Sequence, residues 1–160
     1  MHIFVTVGSQ KFQFDRLLRS LDDLVEQNRI TDSIFAQSGY CTYAVRNYPC
    51  KAFLDRNQFS SQMEKADIIL THGGTGVIIE ALKKHKKVIA VPRLARYGEH
   101  VDDHQIQLLD QLSESGLICE WQDCDTLDQA VEIVRNTDYK SFQSNTNALI
   151  DSIDSFIQQI

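Results

Sequence analysis

The sequence predicts an α/β fold, a single Rossmann-like domain in which a parallel sheet is covered by helices. Short apolar, β-branched runs alternate along the chain with segments whose apolar residues recur at helical spacing. Glycines and polar residues directly follow several of these runs, as they do where a strand ends and a helix begins.

The N-terminal half contains the signals for up to four strands and two helices. "HIFVTVG" predicts the first strand, and residues 14–28 predict a helix with Leu17, Leu21 and Leu24 on one face. "SIFAQS" and "CTYAVR" flank Gly39 and predict two strands joined by a tight turn. "CKAFLD" predicts another short strand, and residues 57–65 predict a short helix.

The C-terminal half continues the alternation. "ADIILTH" predicts a buried strand, residues 75–85 a helix, and "KKVIAVP" a strand ended by Pro92. Residues 103–115 predict a helix, "GLICEW" a last strand, and "TLDQAVEIV" and "ALIDSIDSFIQQI" two further helices. The terminal helix, within residues 140–160, has an apolar stripe that either packs on the core or contacts a partner. We find no repeat and no linker, so residues 1–160 are predicted to form one domain.

Composition excludes several classes of function. The net charge is −6, and no block of lysine and arginine suggests a nucleic-acid partner. The first residues lack a basic segment, and no apolar run reaches the roughly 18 residues of a membrane span. The four cysteines show no Cys-x-x-Cys pairing. We therefore expect a cytoplasmic protein with reduced thiols, whose membrane contact is made through another chain.

Polar residues follow three of the predicted strands. They are Gly8-Ser9-Gln10, the segment from His72 to Gly76, and the loop from Arg93 onward. Because the carboxyl ends of parallel strands share one edge of the sheet, these features should lie on one rim, where such folds bind ligands.

The turn "HGGTG" favours an anion site. A strand, Gly73-Gly74-Thr75-Gly76 and a helix bring free N–H groups and the positive end of a helix dipole together. Glu80, one turn into the helix, points back toward that site and suits sugar hydroxyls. The alternative is a plain tight turn, with Glu80 complementing the dipole and His72 structural. No lysine completes a P-loop, and Ile79 replaces the third glycine of the dinucleotide fingerprint.

The segment "GEHVDDHQ" has two interpretations. His100 and His104 are four residues apart, a spacing compatible with zinc on one helical face. However, the zincin pattern requires glutamate directly after the first histidine, where Val101 stands, and His100 precedes the predicted helix. We therefore predict no metal, and interpret Asp103 with His104 and Gln105 as either a polar rim or a solvated helix cap.

The chain resembles the C-terminal, donor-binding domain of family 28 glycosyltransferases in three segments: "VTVGSQKFQFDRLL", "ADIILTHGGTGVIIEALKKHKKVIAVPR" and "DDHQIQLLDQLSESG". The resemblance extends over about residues 1–120, with the motifs at the expected strand ends. It is nearest to stand-alone half-enzymes of capsule and exopolysaccharide synthesis (PssE-like) and of the dolichol pathway, where the half-enzyme transfers GlcNAc. The bacterial type is the nearer of the two.

This resemblance implies the C-terminal half of a GT-B enzyme, which binds a UDP-sugar and needs no cofactor or metal. The glycine turn would hold the diphosphate, Glu80 the ribose, and Asp103 with Gln105 the sugar hydroxyls, beside His72 and His104. Arg93 would lie on the uracil or phosphate side, and Gly8 and Ser9 would line the cleft floor.

The resemblance also implies a partner. A complete enzyme is about twice this length, so a membrane-anchored chain would bind the lipid-linked saccharide acceptor and supply the general base. The expected function is transfer of a hexose, galactose by closeness to the capsule type, from a UDP-sugar to a polyprenyl-diphosphate-linked sugar at the cytoplasmic face of the inner membrane. Alternatives are a non-catalytic enhancer of a partner transferase, a UDP-GlcNAc-specific subunit, and a nucleotide sensor, which would not need sugar contacts at Asp103 and Gln105.

Overall fold

The computed structural model describes residues 1–143, so the predicted terminal helix lies outside the described residues. The strands are β1 (His2–Thr6), β2 (Ser33–Gln37), β3 (Cys50–Lys51), β4 (Ile68–His72), β5 (Lys87–Val91) and β6 (Cys119–Glu120). The helices are α1 (Asp15–Glu26), α2 (Arg56–Lys65), α3 (Thr75–Lys83), α4 (His104–Glu114) and α5 (Leu127–Asn136).

The six strands within residues 1–143 form one sheet in the order β3-β2-β1-β4-β5-β6, and all pairs are parallel. The predicted Rossmann-like α/β architecture is therefore confirmed. The order reverses beside β1, because the chain builds outward to β3 on one side and then starts again at β4 on the other. Such a reversal opens a crevice at the carboxyl ends of the two central strands.

Two apolar layers cover the sheet. Ile3 and Val5 of β1 face the layer that contains α1 and α5, whereas Phe4 faces the layer that contains α2, α3 and α4. The same alternation continues in β4 and β5. Because both faces are covered, the strands appear in the sequence as continuous apolar runs. These layers fix the strand ends that carry the candidate site.

The segment "CTYAVR" (residues 41–46) is a loop, so the strand predicted there was wrong. Asp15 at the start of α1 accepts hydrogen bonds from the backbone N–H groups of Thr42 and Tyr43 at 2.8 and 3.1 Å. These N–H groups are thereby taken from any strand ladder. The neighbour of β2 is instead the short strand β3, which lies within the predicted "CKAFLD".

Asp22, fully buried in α1, holds the other end of this loop. It accepts from the backbone N–H groups of Arg46 and Asn47 at 3.0 and 2.8 Å and from the Tyr43 hydroxyl at 2.9 Å. Burial acts to raise the pKa of Asp22, but these hydrogen bonds outweigh it and lower the pKa below its ordinary value. The charged carboxylate is thus the form that organises the loop.

Candidate functional site

A cavity of about 680 Å³ opens at the carboxyl ends of β1 and β2, beside the crevice where the strand order reverses between β1 and β4. Gly8 and Ser9, from the turn after β1, form one side of it. Gly76 and Glu80, from the first turns of α3, form another. The volume lies in the range of about 300–1,000 Å³ that is usual for small-molecule sites.

The turn from β4 into α3 lies beside this cavity, and of its residues Gly76 lines the wall, whereas His72, Gly73, Gly74 and Thr75 do not. Gly74 is the N-cap residue, and no side chain of the described residues caps the helix. Thr75 starts the helix instead of capping it, and both Thr75 and Gly76 are exposed. A Cβ atom on Gly76 would meet no atom within 4 Å. Open amides at a helix N-terminus, with space above them, can hold an anion.

His72 lies between the two glycine turns. A Cβ atom on Gly8 would come within 2.6 Å of the His72 Cε1 atom, and one on Gly74 would collide with Nε2 of the same ring. Gly8 also has a φ of +80°, which disfavours any side chain there. The imidazole therefore sets the spacing between the turn after β1 and the turn after β4.

The His72 ring is neutral at physiological pH. Burial, followed by the positive charge of Arg93, lowers the pKa of His72 from 6.5 to about 4. Its Nδ1 atom lies 3.4 Å from the Thr71 hydroxyl, which donates to the carbonyl of Thr6 at 2.8 Å. In the free protein, the positive potential above the turn thus comes from backbone dipoles and not from an imidazolium.

Gln105 joins two of the predicted features. Its side-chain oxygen accepts from the backbone N–H groups of Gly73, at 3.1 Å, and Arg93, at 3.0 Å. The side chain is buried and fills the space that a Cβ atom on Gly73 would need. Gln105 therefore fixes the glycine turn against the loop after β5, and the predicted sugar contact remains for its amide nitrogen.

Asp103 and His104 lie on the same loop but outside the wall of the cavity. Asp103 occupies the N-cap position of α4, as predicted, but its Oδ1 atom accepts from the N–H group of Ala95 at 2.7 Å and caps nothing. His104 begins α4 and contacts Asp102. Both side chains are exposed at the carboxyl edge of the sheet.

Arg93 lies beneath the rim and does not line the cavity. It is fully buried, and its Nη2 atom donates to the carbonyl of Val7 at 2.5 Å. The guanidinium lies over the Phe14 ring, and its Nε and Nη1 atoms have no partner among the described residues. Burial lowers its pKa. Arg93 thus supports the turn after β1 from below.

The opposite wall of the cavity consists of residues that no motif had indicated. Gln37 at the end of β2 contributes to this wall, and so do five residues between β3 and the middle of α2: Phe53, Leu54, Arg56, Phe59 and Ser60. One local signal was available, because Asp55 and Gln58 form a capping box that fixes the start of α2. The spatial approach of this helix to α3, however, is a tertiary property.

A buried ion pair between Arg16 and Glu99, which no sequence motif predicted, fixes the loop after β5. Glu99, which is fully buried, accepts two hydrogen bonds from Arg16 of α1, each of 3.0 Å. Glu99 also accepts from the N–H group of Leu94, and Arg16 donates to the carbonyl of Pro92. The loop that carries Asp103 is therefore tied to α1.

The fold is an α/β domain of Rossmann-like topology, with a cavity at the edge of the sheet where such folds bind ligands. Residues 2–160 match the family model of the glycosyltransferase family 28 C-terminal domain. The chain belongs to this family, as its motifs indicated. The relatives and solved structures that it resembles include glycosyltransferases of the GT-B class.

Human UDP-N-acetylglucosamine transferase subunit ALG13 is 26% identical over 130 residues, which cover 71% of this chain and 10% of that protein. An NMR structure of ALG13 has a TM-score of 0.61 at 17% identity and covers 95% of this chain and 94% of that chain. MurG of Acinetobacter baumannii has a TM-score of 0.59 at 20% identity, with 84% of this chain matched to 41% of MurG. The chain thus spans about a tenth of the human relative and less than half of MurG.

Among residues 1–143, no helix has the length and apolar character needed to cross a membrane.

Proposed function

We propose that this chain binds the UDP-sugar donor for a glycosyltransferase whose acceptor site lies on a second chain. The observation that carries the proposal is the position of the cavity, which opens at the switch point between the two glycine turns with Glu80 in its wall. Membership of the family supports the class of reaction.

The donor diphosphate would lie over the N-terminus of α3. The open amides after Gly74 supply donors, and the absence of a side chain at Gly76 leaves room for close approach. The diphosphate of the bound donor is already negatively charged before the reaction begins. Charge on the leaving UDP grows in the transition state, so fixed dipoles at this position would lower the barrier.

The nucleoside would extend along the wall formed by α2 and α3. Glu80 is half-buried in this wall, where its carboxylate could accept from both ribose hydroxyls. Leu54, Phe53 and Phe59 supply the apolar surface against which a planar base can pack. The pocket would therefore hold uridine by hydrogen bonds to the ribose and by apolar packing against the base.

The sugar would extend from the diphosphate toward the start of α4. Gln105 accepts from the N–H group of Gly73, and we propose that its amide nitrogen would donate to a sugar hydroxyl, with Asp103 and His104 next to it in the chain. The acceptor hydroxyl would attack the anomeric carbon from the opposite side, which inverts its configuration and releases UDP. We assign the general base and the acceptor site to the partner.

The human relative is named as a transferase subunit, which supports a partner chain here. We propose a membrane-anchored partner that binds a polyprenyl-diphosphate-linked saccharide in capsule or exopolysaccharide synthesis. The transferred sugar is a hexose. The resemblance to capsule-type subunits favours galactose, whereas the name of the human relative favours N-acetylglucosamine.

Calorimetric titration with UDP, with ADP as the control, tests the donor site. We expect saturable binding of UDP and at least tenfold weaker binding of ADP. Glu80→Ala should weaken UDP binding about tenfold, roughly the 1.4 kcal/mol of one or two hydrogen bonds. Glu114→Ala, which removes an exposed glutamate from α4, is the matched control and should leave binding unchanged. Equal affinities of the two variants would reject the assignment of Glu80.

A transfer assay with the partner separates catalysis from enhancement. A donor-binding subunit with Glu80→Ala should support little transfer, whereas an enhancer carrying the same change would stimulate the partner as well as the unaltered chain does. Supplying UDP-galactose and UDP-GlcNAc in parallel then identifies the sugar.

A further inference from the structure

Three potential metal ligands meet at the start of α4. The ligand atoms of His100, Asp102 and His104 all lie within 4.8 Å of one another. The Oδ1 atom of Asp102 faces the Nδ1 atoms of both histidines, at 3.3 Å from His100 and in closer contact with His104. The two imidazole rings are 4.9 Å apart and inclined at 69°. Three different side chains therefore converge on one point.

One of the three separations already suits a small divalent ion, and the other two need adjustment. Zinc binds imidazole nitrogen and carboxylate oxygen at about 2.0–2.2 Å, so tetrahedral ligand atoms are roughly 3.3–3.6 Å apart. The 3.3 Å between His100 and Asp102 already matches this edge. Asp102 and His104 must move apart to admit an ion, and both side chains are more than half exposed, so rotation about their side-chain bonds can supply that shift.

The cluster has a fixed side and an open side. His100 is largely buried and packs against the ring of Phe12, 5.1 Å away, in the turn after β1. Asp102 and His104 face solvent. A bound ion would thus keep at least one coordination position for water. It would also tie the loop after β5 to the first residue of α4.

The position of the Asp102 carboxylate explains why the structure favours a metal site that the sequence did not predict. The spacing of the two histidines alone did not favour a metal, because His100 precedes the helix. The bend at residues 100–103 now brings the intervening carboxylate between the rings. The three side chains of this His-x-Asp-x-His motif can therefore meet without lying on one face of a helix.

We propose that His100, Asp102 and His104 form a binding site for a divalent ion of the zinc class, with the two Nδ1 atoms and one carboxylate oxygen as ligands. The ion clamps the loop after β5 to the start of α4, outside the wall of the cavity. The simpler arrangement, hydrogen bonds between Asp102 and the two histidines without an ion, is the alternative outcome.

Titration of the chelator-treated chain with Zn²⁺ tests this site, and Co²⁺ serves as a spectroscopic probe of coordination. We expect one equivalent to bind, with Co²⁺ absorption in the visible range typical of four or five ligands. His100→Ala, Asp102→Asn and His104→Ala should each weaken Zn²⁺ binding at least tenfold. His85→Asn alters an exposed histidine elsewhere, at a position with a φ of +55° that asparagine tolerates, and should leave binding unchanged.

Two results would overturn the proposal. One is Zn²⁺ binding no tighter than about 100 μM, and the other is binding that the three ligand variants and His85→Asn retain equally. Glu80→Ala should retain Zn²⁺ binding while losing UDP affinity, so failure of one site is distinguishable from failure of the other.

Discussion

The side-chain oxygen of Gln105 lies 3.1 Å from the backbone nitrogen of Gly73, on the turn between β4 and α3. The same oxygen accepts from the backbone of Arg93 at 3.0 Å. One amide therefore fixes both the glycine turn and the loop after β5. This contact therefore connects the residues expected to bind the diphosphate with those expected to bind the sugar.

Replacement of Gln105 by alanine should destabilise the fold and weaken UDP binding. Two buried N–H groups lose their acceptor, which costs about 1–3 kcal/mol for each unsatisfied group. Urea unfolding measures the loss. Gln107→Ala, an exposed position two residues along the same helix, should change stability by less than 0.5 kcal/mol. Equal stability of the two variants would show that the Gln105 contact contributes little.

Two glycines of the same turn, Gly74 and Gly76, should respond in opposite ways to replacement by alanine. Gly76→Ala meets no atom and adds a better helix former, so we expect the free energy of unfolding to rise by about 0.5–1 kcal/mol. UDP binding should nevertheless weaken at least tenfold, because the methyl group occupies space proposed for the diphosphate. Gly74→Ala collides with His72 and should lose both stability and binding, and Gly74→Val should nearly abolish binding. A Gly76→Ala variant with unchanged UDP affinity would place the diphosphate elsewhere.

Stability should depend on pH through His72. Its pKa in the folded chain, about 4, is below the ordinary value of 6.5, so the unfolded state binds a proton more readily. The stability associated with the neutral imidazole is fully present above pH 6.5. As the pH falls toward 4 it is lost, and the free energy of unfolding decreases by about 3 kcal/mol. Unfolding curves of the original chain and of His72→Gln should therefore converge on acidification, whereas His85→Asn should keep the original pH dependence. Parallel curves for the original chain and His72→Gln would contradict the neutral, buried imidazole.

Removal of only one partner of the Arg16–Glu99 pair should strongly lower the free energy of unfolding. Arg16→Ala leaves the buried Glu99 carboxylate without its two charged hydrogen bonds, at a cost of about 3–5 kcal/mol. The double variant with Glu99→Ala should lose less than the sum of the single losses. Arg19→Ala, an exposed arginine on the same helix, is the control. Additive losses would mean that the two side chains do not stabilise each other.

The sequence by itself determined the α/β class, the positions of most elements and the rim on which the polar motifs lie. These features depend on local patterns: apolar runs of strand length, helical spacing of leucines, and glycines at strand ends. The predicted helices at residues 57–65 and 103–115 agree with α2 and α4 to within one residue at each end. The motif from His72 to Gly76 likewise determined where the turn into α3 falls.

Only the tertiary structure decided what those residues contact. Asp15 and Asp22 capture backbone groups of residues 42–47 that a strand would have paired, and nothing local to that segment reveals it. The wall of the cavity from α2 depends in the same way on chain crossing, as do the buried position of Arg93 and the closure of Asp102 between two histidines. The physical reason is range. Periodicity and turn chemistry act over a few residues, whereas burial and hydrogen-bond partners are set by groups far apart in the chain.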